Sequence, residues 1–176
     1  NKPKIRNSSK FQLHSVDAEK KWINIAKKMI PNDLKPFVHF KQSNVISSDF
    51  RGIDCHYYEK IPNILPDFIY LDAPHPNSVK NNKKNLVEKK WDNPDKVVMA
   101  GDLLRIESWL LPGCCILVDG RNSNVRFIQK HFYRNWEFQF NYKTDVSVFE
   151  LQEPPLGLVN EQTLNYCLGN DYKKWK

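Results

Sequence analysis

Residues 66–76 read PDFIYLDAPHP. Phe68, Ile69, Tyr70 and Leu71 form an unbroken run of strand formers with no polar alternation, the pattern of a strand covered on both faces. Pro66 opens the run, and Pro74 and Pro76 close it. The strand therefore ends in a carboxylate, Asp72, with His75 close behind. In an open α/β sheet ligands sit beyond the carboxyl ends of the strands, so Asp72 and His75 would stand at the rim of a site. The plain alternative is a strand followed by a solvated turn, in which Asp72 is only a cap.

A second stretch, residues 110–121 with the sequence LLPGCCILVDGR, weighs toward the site. A helix stops at Pro112-Gly113, and a buried strand, Cys114 to Val118, again ends in a carboxylate, Asp119. Two neighbouring strands ending in Asp place two carboxylates on one sheet edge. Such a pair can hold a hard divalent cation through oxygen ligands or position a substrate hydroxyl.

The chain of 176 residues is long enough for one domain with a real core. Hydrophobic residues make up 40% and aromatics 12%, which excludes a disordered chain. No apolar run is long enough to span a bilayer, and no stretch of the sequence reads as a signal peptide. The four cysteines, Cys55, Cys114, Cys115 and Cys167, lack metal-type spacing. Two of them are adjacent inside a buried strand, where they act as small apolar residues. They read as reduced, which points to the cytoplasm. The net charge of +7, with lysines clustered at 20–21, 27–28, 80–90 and the C-terminus, fits either an anionic partner such as RNA or ordinary solvated faces. Solvated faces are the stronger reading, because no aromatic-rich RNA-binding signature accompanies the lysines.

Taken in order, Phe11 to Val16 reads as a strand closed by Asp17. A helix is expected from Ala18 to Met29, with Trp22, Ile25, Ala26 and Met29 on one buried face. Asp17 is placed to cap it, and an acid closing this strand of a dinucleotide-type fold also binds ribose hydroxyls. Phe37 to Phe40 is a strand. Val45-Ile46 and Cys55 to Tyr58 suggest a hairpin around Asp49 to Gly52. Helices are expected over 78–90, over 97–111 (at least from Asp102) and over 124–131. Arg105 and Glu107 read as solvated or paired polar positions. Trp136 to Tyr142 and Val146 to Leu151 form an antiparallel pair. Residues 152–176 make a C-terminal extension with a short helix from Glu161 to Leu168, capped by Asn160 and stopped by Gly169.

This order resembles the class I S-adenosylmethionine-dependent methyltransferases from their second strand onward, most closely their small-molecule O-methyltransferase branch. The resemblance covers roughly residues 11–151. HSVDAEKKW is similar to the family's second strand, FIYLDAPHP to its fourth strand and motif, LLPGCCILVDG to its Pro-Gly turn and fifth strand, and the terminal hairpin to its reversed last strands. It implies an α/β fold, a Rossmann-like doubly wound, mostly parallel sheet with a C-terminal antiparallel hairpin. It also implies S-adenosylmethionine as cofactor, with Mg²⁺ in the cation-dependent members.

Carried over residue by residue, Asp17 would bind the cofactor ribose, and Asp72 and Asp119 would be metal ligands or, for Asp72, a catalytic carboxylate. His75 would be the base, and Arg121 would hold an anionic small-molecule acceptor or neutralise Asp119. Two features depart from the family. Gly120 follows Asp119 where cation-dependent members often carry Asn or Asp. The glycine-rich loop between the family's first strand and helix has no counterpart ahead of Asp17, so the chain reads as the downstream portion of such a domain. The alternatives are a methyltransferase-like binding protein without catalysis and a basic RNA-binding protein. The oligomeric state, a homodimer included, is left open.

Overall fold

The structure, a computed structural model, describes residues 11–72, 79–80 and 99–153. The chain divides into two compact units, Asn1–Asn63 with Pro74–Asp92, and Ile64–Ala73 with Asn93–Lys176.

In the first unit, β1 (Leu13–Asp17) and β2 (Val38–Gln42) pair in parallel, His14 opposite His39 and Asp17 opposite Gln42. The helix α1 (Lys20–Met29) connects them. Its expected buried face is overturned. Trp22 is 52% exposed and Met29 77%, and Ile25 is exposed as well. The residues that turn inward are Ile23, with Ala26 and Ile30 half-buried. These also fall at i, i+3 and i+7, on a line displaced around the helix from the expected one. The apolar sector of α1 is broad, and a two-stranded sheet covers only one flank of it.

β3 (Val45–Phe50) and β4 (Ile53–Tyr58) then form the expected hairpin, with Phe50 opposite Ile53. Its two connecting residues both have positive φ, 51° at Arg51 and 79° at Gly52. That twist suits a two-residue hairpin, and Gly52 adopts it without a Cβ clash. Asp49 steadies the turn by accepting the Gly52 N–H at 3.1 Å. A short strand β6 (Val79–Lys80) adds in parallel to β3, so the helix expected over 78–90 does not hold at its start.

In the second unit the sheet order is β5-β8-β10-β9, formed by β5 (Phe68–Leu71), β8 (Cys115–Asp119), β10 (Val146–Leu151) and β9 (Trp136–Asn141). β5 and β8 are parallel, and β10 runs antiparallel to both β8 and β9. The burial alternates along β10, where Ser147, Phe149 and Leu151 are buried. Together with Ile116, Val118, Leu103, Leu104, Leu110, Val125 and Ile128 they make the core. Phe149 is met edge-on by Phe132 at 5.5 Å, an arrangement that aromatic quadrupoles favour, and Phe138 lies tilted against it at 4.9 Å.

Only part of the helix expected over 97–111 forms. Met99–Ala100 is a short strand, β7, followed by α2 (Asp102–Ile106) and one 3₁₀ turn, Glu107–Trp109. The helix α3 (Asn122–His131) is held to β7 by the buried Asn124 side chain. Its Oδ1 accepts the Ala100 N–H at 2.6 Å, and its Nδ2 donates to the Ala100 carbonyl at 3.3 Å.

The doubly wound, mostly parallel α/β sheet is therefore overturned. Among the described residues there are ten strands in several sheets, with the antiparallel pairs β3–β4, β8–β10 and β9–β10 beside parallel ones, and three α-helices. The physical reasons are local. The Arg51-Gly52 turn sends the chain straight back where a crossover helix was needed, and segments with helical spacing around Val79 and Met99 are extended. Cys55 and Cys114 are buried and Cys115 is half-buried. No helix among the described residues is long and apolar enough to cross a membrane. The expected helix at 161–168 lies outside the described residues, as does Cys167.

Candidate functional site

The parallel register of β5 and β8 sets Leu71 opposite Val118. The next residues, Asp72 just past β5 and Asp119 as the last of β8, therefore stand at the same carboxyl edge. Alternation puts Tyr70 on the same face as both acids. Its hydroxyl donates to Asp119 Oδ2 at 3.0 Å. Donating this bond to a carboxylate, with burial and the negative charges of Asp119 and Asp72 adding to it, pushes the Tyr70 phenol above its ordinary 10.0. At neutral pH Tyr70 is thus a neutral donor and holds Asp119 in a fixed orientation.

Arg121 lies 3.5 Å from Asp72, Nε to Oδ1, with side chains 32% and 78% exposed. An ion pair this open is screened and contributes little stability, so its meaning is charge balance rather than anchoring. The loop that carries Arg121 is itself held. Gly120, at φ 71°, donates its N–H to the Asp145 carbonyl at 2.9 Å. Asn122 Nδ2 donates to Asp145 Oδ1 at 3.0 Å. The turn between β9 and β10 is thereby stapled to the loop after β8.

The structure thus brings together Asp72, Asp119 and Arg121. Asp17 belongs to the first unit. It stands at the end of β1, and its Oδ1 accepts the Glu19 N–H at 2.7 Å. The N-cap of α1 is Glu19, so Asp17 shapes the approach to the helix and does not cap it. His75 lies outside the described residues. Tyr70 was missed in the sequence because it was read as a strand former only. Its place two residues before Asp72, on the same face, was the available signal.

As a chemical assembly the edge has two acceptor-only carboxylates, one phenolic donor and one guanidinium. It can receive hydrogen bonds from a substrate hydroxyl and place a cation against an anionic group. Among the described residues no three His, Cys, Asp or Glu side chains converge to hold a metal. Arg121 already supplies positive charge beside Asp72 Oδ1, and Tyr70 engages Asp119 Oδ2. No protein-family model, curated protein or solved structure matches the chain.

Proposed function

We propose that the chain takes part in methyl transfer from S-adenosylmethionine to a hydroxyl of a small, anionic acceptor, and that the β5–β8 edge is where the acceptor binds. The observation that carries this reading is the pairing of Asp72 and Asp119 on adjacent parallel strand ends, with Tyr70 on one and Arg121 on the other. The reversed strand β10, next to β8, is in keeping with the resemblance at the end of the chain. S-adenosylmethionine, when bound, supplies the electrophilic methyl group.

The chain's residues would do the rest. Asp17, which the resemblance gives to the cofactor ribose, has one carboxylate oxygen engaged by the Glu19 N–H. Asp119, fixed by Tyr70, accepts the hydrogen bond of the acceptor hydroxyl and so orients its oxygen for in-line attack, which is chiefly a matter of proximity. Arg121 holds the acceptor's anionic group. His75 takes the hydroxyl proton as the C–O bond forms and the C–S bond breaks. A second reading is a binding protein of this kind without catalysis, favoured by the wide exposure of Asp72.

The test is transfer of labelled methyl from S-adenosylmethionine to a panel of phenols and hydroxy acids, using the natural full-length polypeptide. Asp119→Asn and Asp72→Asn are each expected to lower turnover at least tenfold. Undiminished transfer in both variants rejects the site. Binding of S-adenosylmethionine with no transfer to any acceptor selects the second reading.

A further inference from the structure

The β1–β2 pair carries two imidazoles side by side. His14 and His39 are register partners on adjacent parallel strands, so both side chains leave the sheet on the same face. Their rings are stacked, with centroids 4.7 Å apart and planes inclined by 25°. His14 Nε2 lies 3.4 Å from Gln12 Oε1. His39 is exposed, and among the described residues no carboxylate bonds to either ring.

We propose that His14 and His39 form a two-imidazole clamp for a borderline transition-metal ion such as Zn²⁺, with the Gln12 carboxamide oxygen as the next donor and water completing the shell. Neutral imidazole nitrogen is the ligand such ions prefer, and an oxygen donor is compatible with them. Two Zn–N bonds of about 2.1 Å at the tetrahedral angle set their nitrogens about 3.4 Å apart. The stacked rings, inclined by only 25°, aim their nitrogens nearly parallel, so each side chain must rotate out of the stack to bring one nitrogen of each ring onto a common ion.

The electrostatic surroundings bear on protonation. Partial burial, and secondarily the charge of His39, holds His14 below its ordinary value of 6.5. Lys41 follows His39 on the same face, but its ammonium is turned to the Ile61 carbonyl at 3.1 Å. On the opposite face Lys27 of α1 lies over the Phe40 ring at 5.7 Å.

The consequence is mechanical. A two-stranded sheet is marginal by itself, and an ion bound only by the folded pair stabilises it in proportion to its occupancy. The clamp would fix β1 and, with it, Asp17 at the strand's end. It does not depend on the methyl-transfer reading.

The experiment is calorimetric titration with ZnCl₂ at pH 7.5 and 5.5, with melting curves and imidazole ¹⁵N spectra of the same samples. One equivalent is expected to bind at pH 7.5, to shift both ring signals and to raise Tm. His39→Asn and His14→Asn should each weaken binding at least tenfold, and Gln12→Ala by less. At pH 5.5 most of the affinity should be gone. His39 is exposed, so His39→Asn should leave the metal-free Tm unchanged and give a clean comparison. The proposal is overturned by unchanged affinity in both histidine variants, by binding that disappears only when cysteines are alkylated, or by no binding at millimolar Zn²⁺.

Discussion

Glu107 is the most consequential polar residue of the second unit and the best test of how it is built. Its side chain is fully buried. Oε1 accepts the backbone N–H groups of Tyr133 and Arg134 at 3.0 Å each and the Trp136 indole N–H at 2.9 Å. One carboxylate oxygen therefore organises the whole connection from α3 to β9. The Arg134 guanidinium closes the cluster by donating to the Glu107 and Leu110 carbonyls and to Glu153.

Glu107→Ala strands three part-buried donors. Hydrogen bonds to a charged acceptor contribute about 1.5–3 kcal/mol each, but water entering the vacated space will satisfy part of the loss. The expected cost is about 3–5 kcal/mol, the range for a broken buried charge interaction. For a chain of this size that lowers Tm by about 6–20 °C. Glu107→Gln keeps an oxygen toward the same donors and loses only the charge, so about 1–2 kcal/mol is expected. Urea unfolding followed by Trp fluorescence measures both. An alanine variant within about 1 kcal/mol of wild type, or equal to the glutamine variant, refutes the reasoning.

Three further outcomes are expected. Glu153 is held below the ordinary carboxylate range chiefly by its hydrogen bond from Arg134, with burial opposing and the Asn135 N–H and the Arg134 charge assisting. A carboxylate with a lowered folded pKa stabilises above its unfolded value of about 4.5 and loses that contribution as pH falls through the folded value. Glu153→Gln should thus be less stable than wild type at pH 7, the difference vanishing in strong acid; a constant difference at all pH values is the contrary result. Tyr70 should ionise above the ordinary phenol range and return toward 10.0 in Asp119→Asn, read by ultraviolet titration against Tyr70→Phe. Gly120→Ala should cost about 1–2 kcal/mol from positive φ alone, since an added Cβ meets Asp145 Oδ2 only at an ordinary 3.7 Å.

Strand ends were the part most legible in the sequence. The runs FIYL and CILV are short, apolar and bounded by proline or glycine, and both appear as strands with their acids at the same edge. Val146–Leu151 and the Asp49 to Gly52 hairpin were readable for the same reason, alternation and turn residues being local properties. What failed depended on partners. The apolar stripe of α1 is real as a pattern, but which flank is buried is decided by the width of the sheet beneath it. Glu107 looked like any polar position on a helix, because its three donors come from residues far along the chain. Val79–Lys80 and Met99–Ala100 are strands too short to leave a periodicity. The continuous parallel sheet was an inference from element order, and element order does not say which strands meet.

Calorimetric titration of the natural full-length polypeptide with S-adenosylmethionine tests the functional account most directly. One-to-one binding that weakens at least tenfold in Asp17→Asn is the predicted result. No heat of binding up to millimolar S-adenosylmethionine, or an affinity untouched by Asp17→Asn, contradicts it.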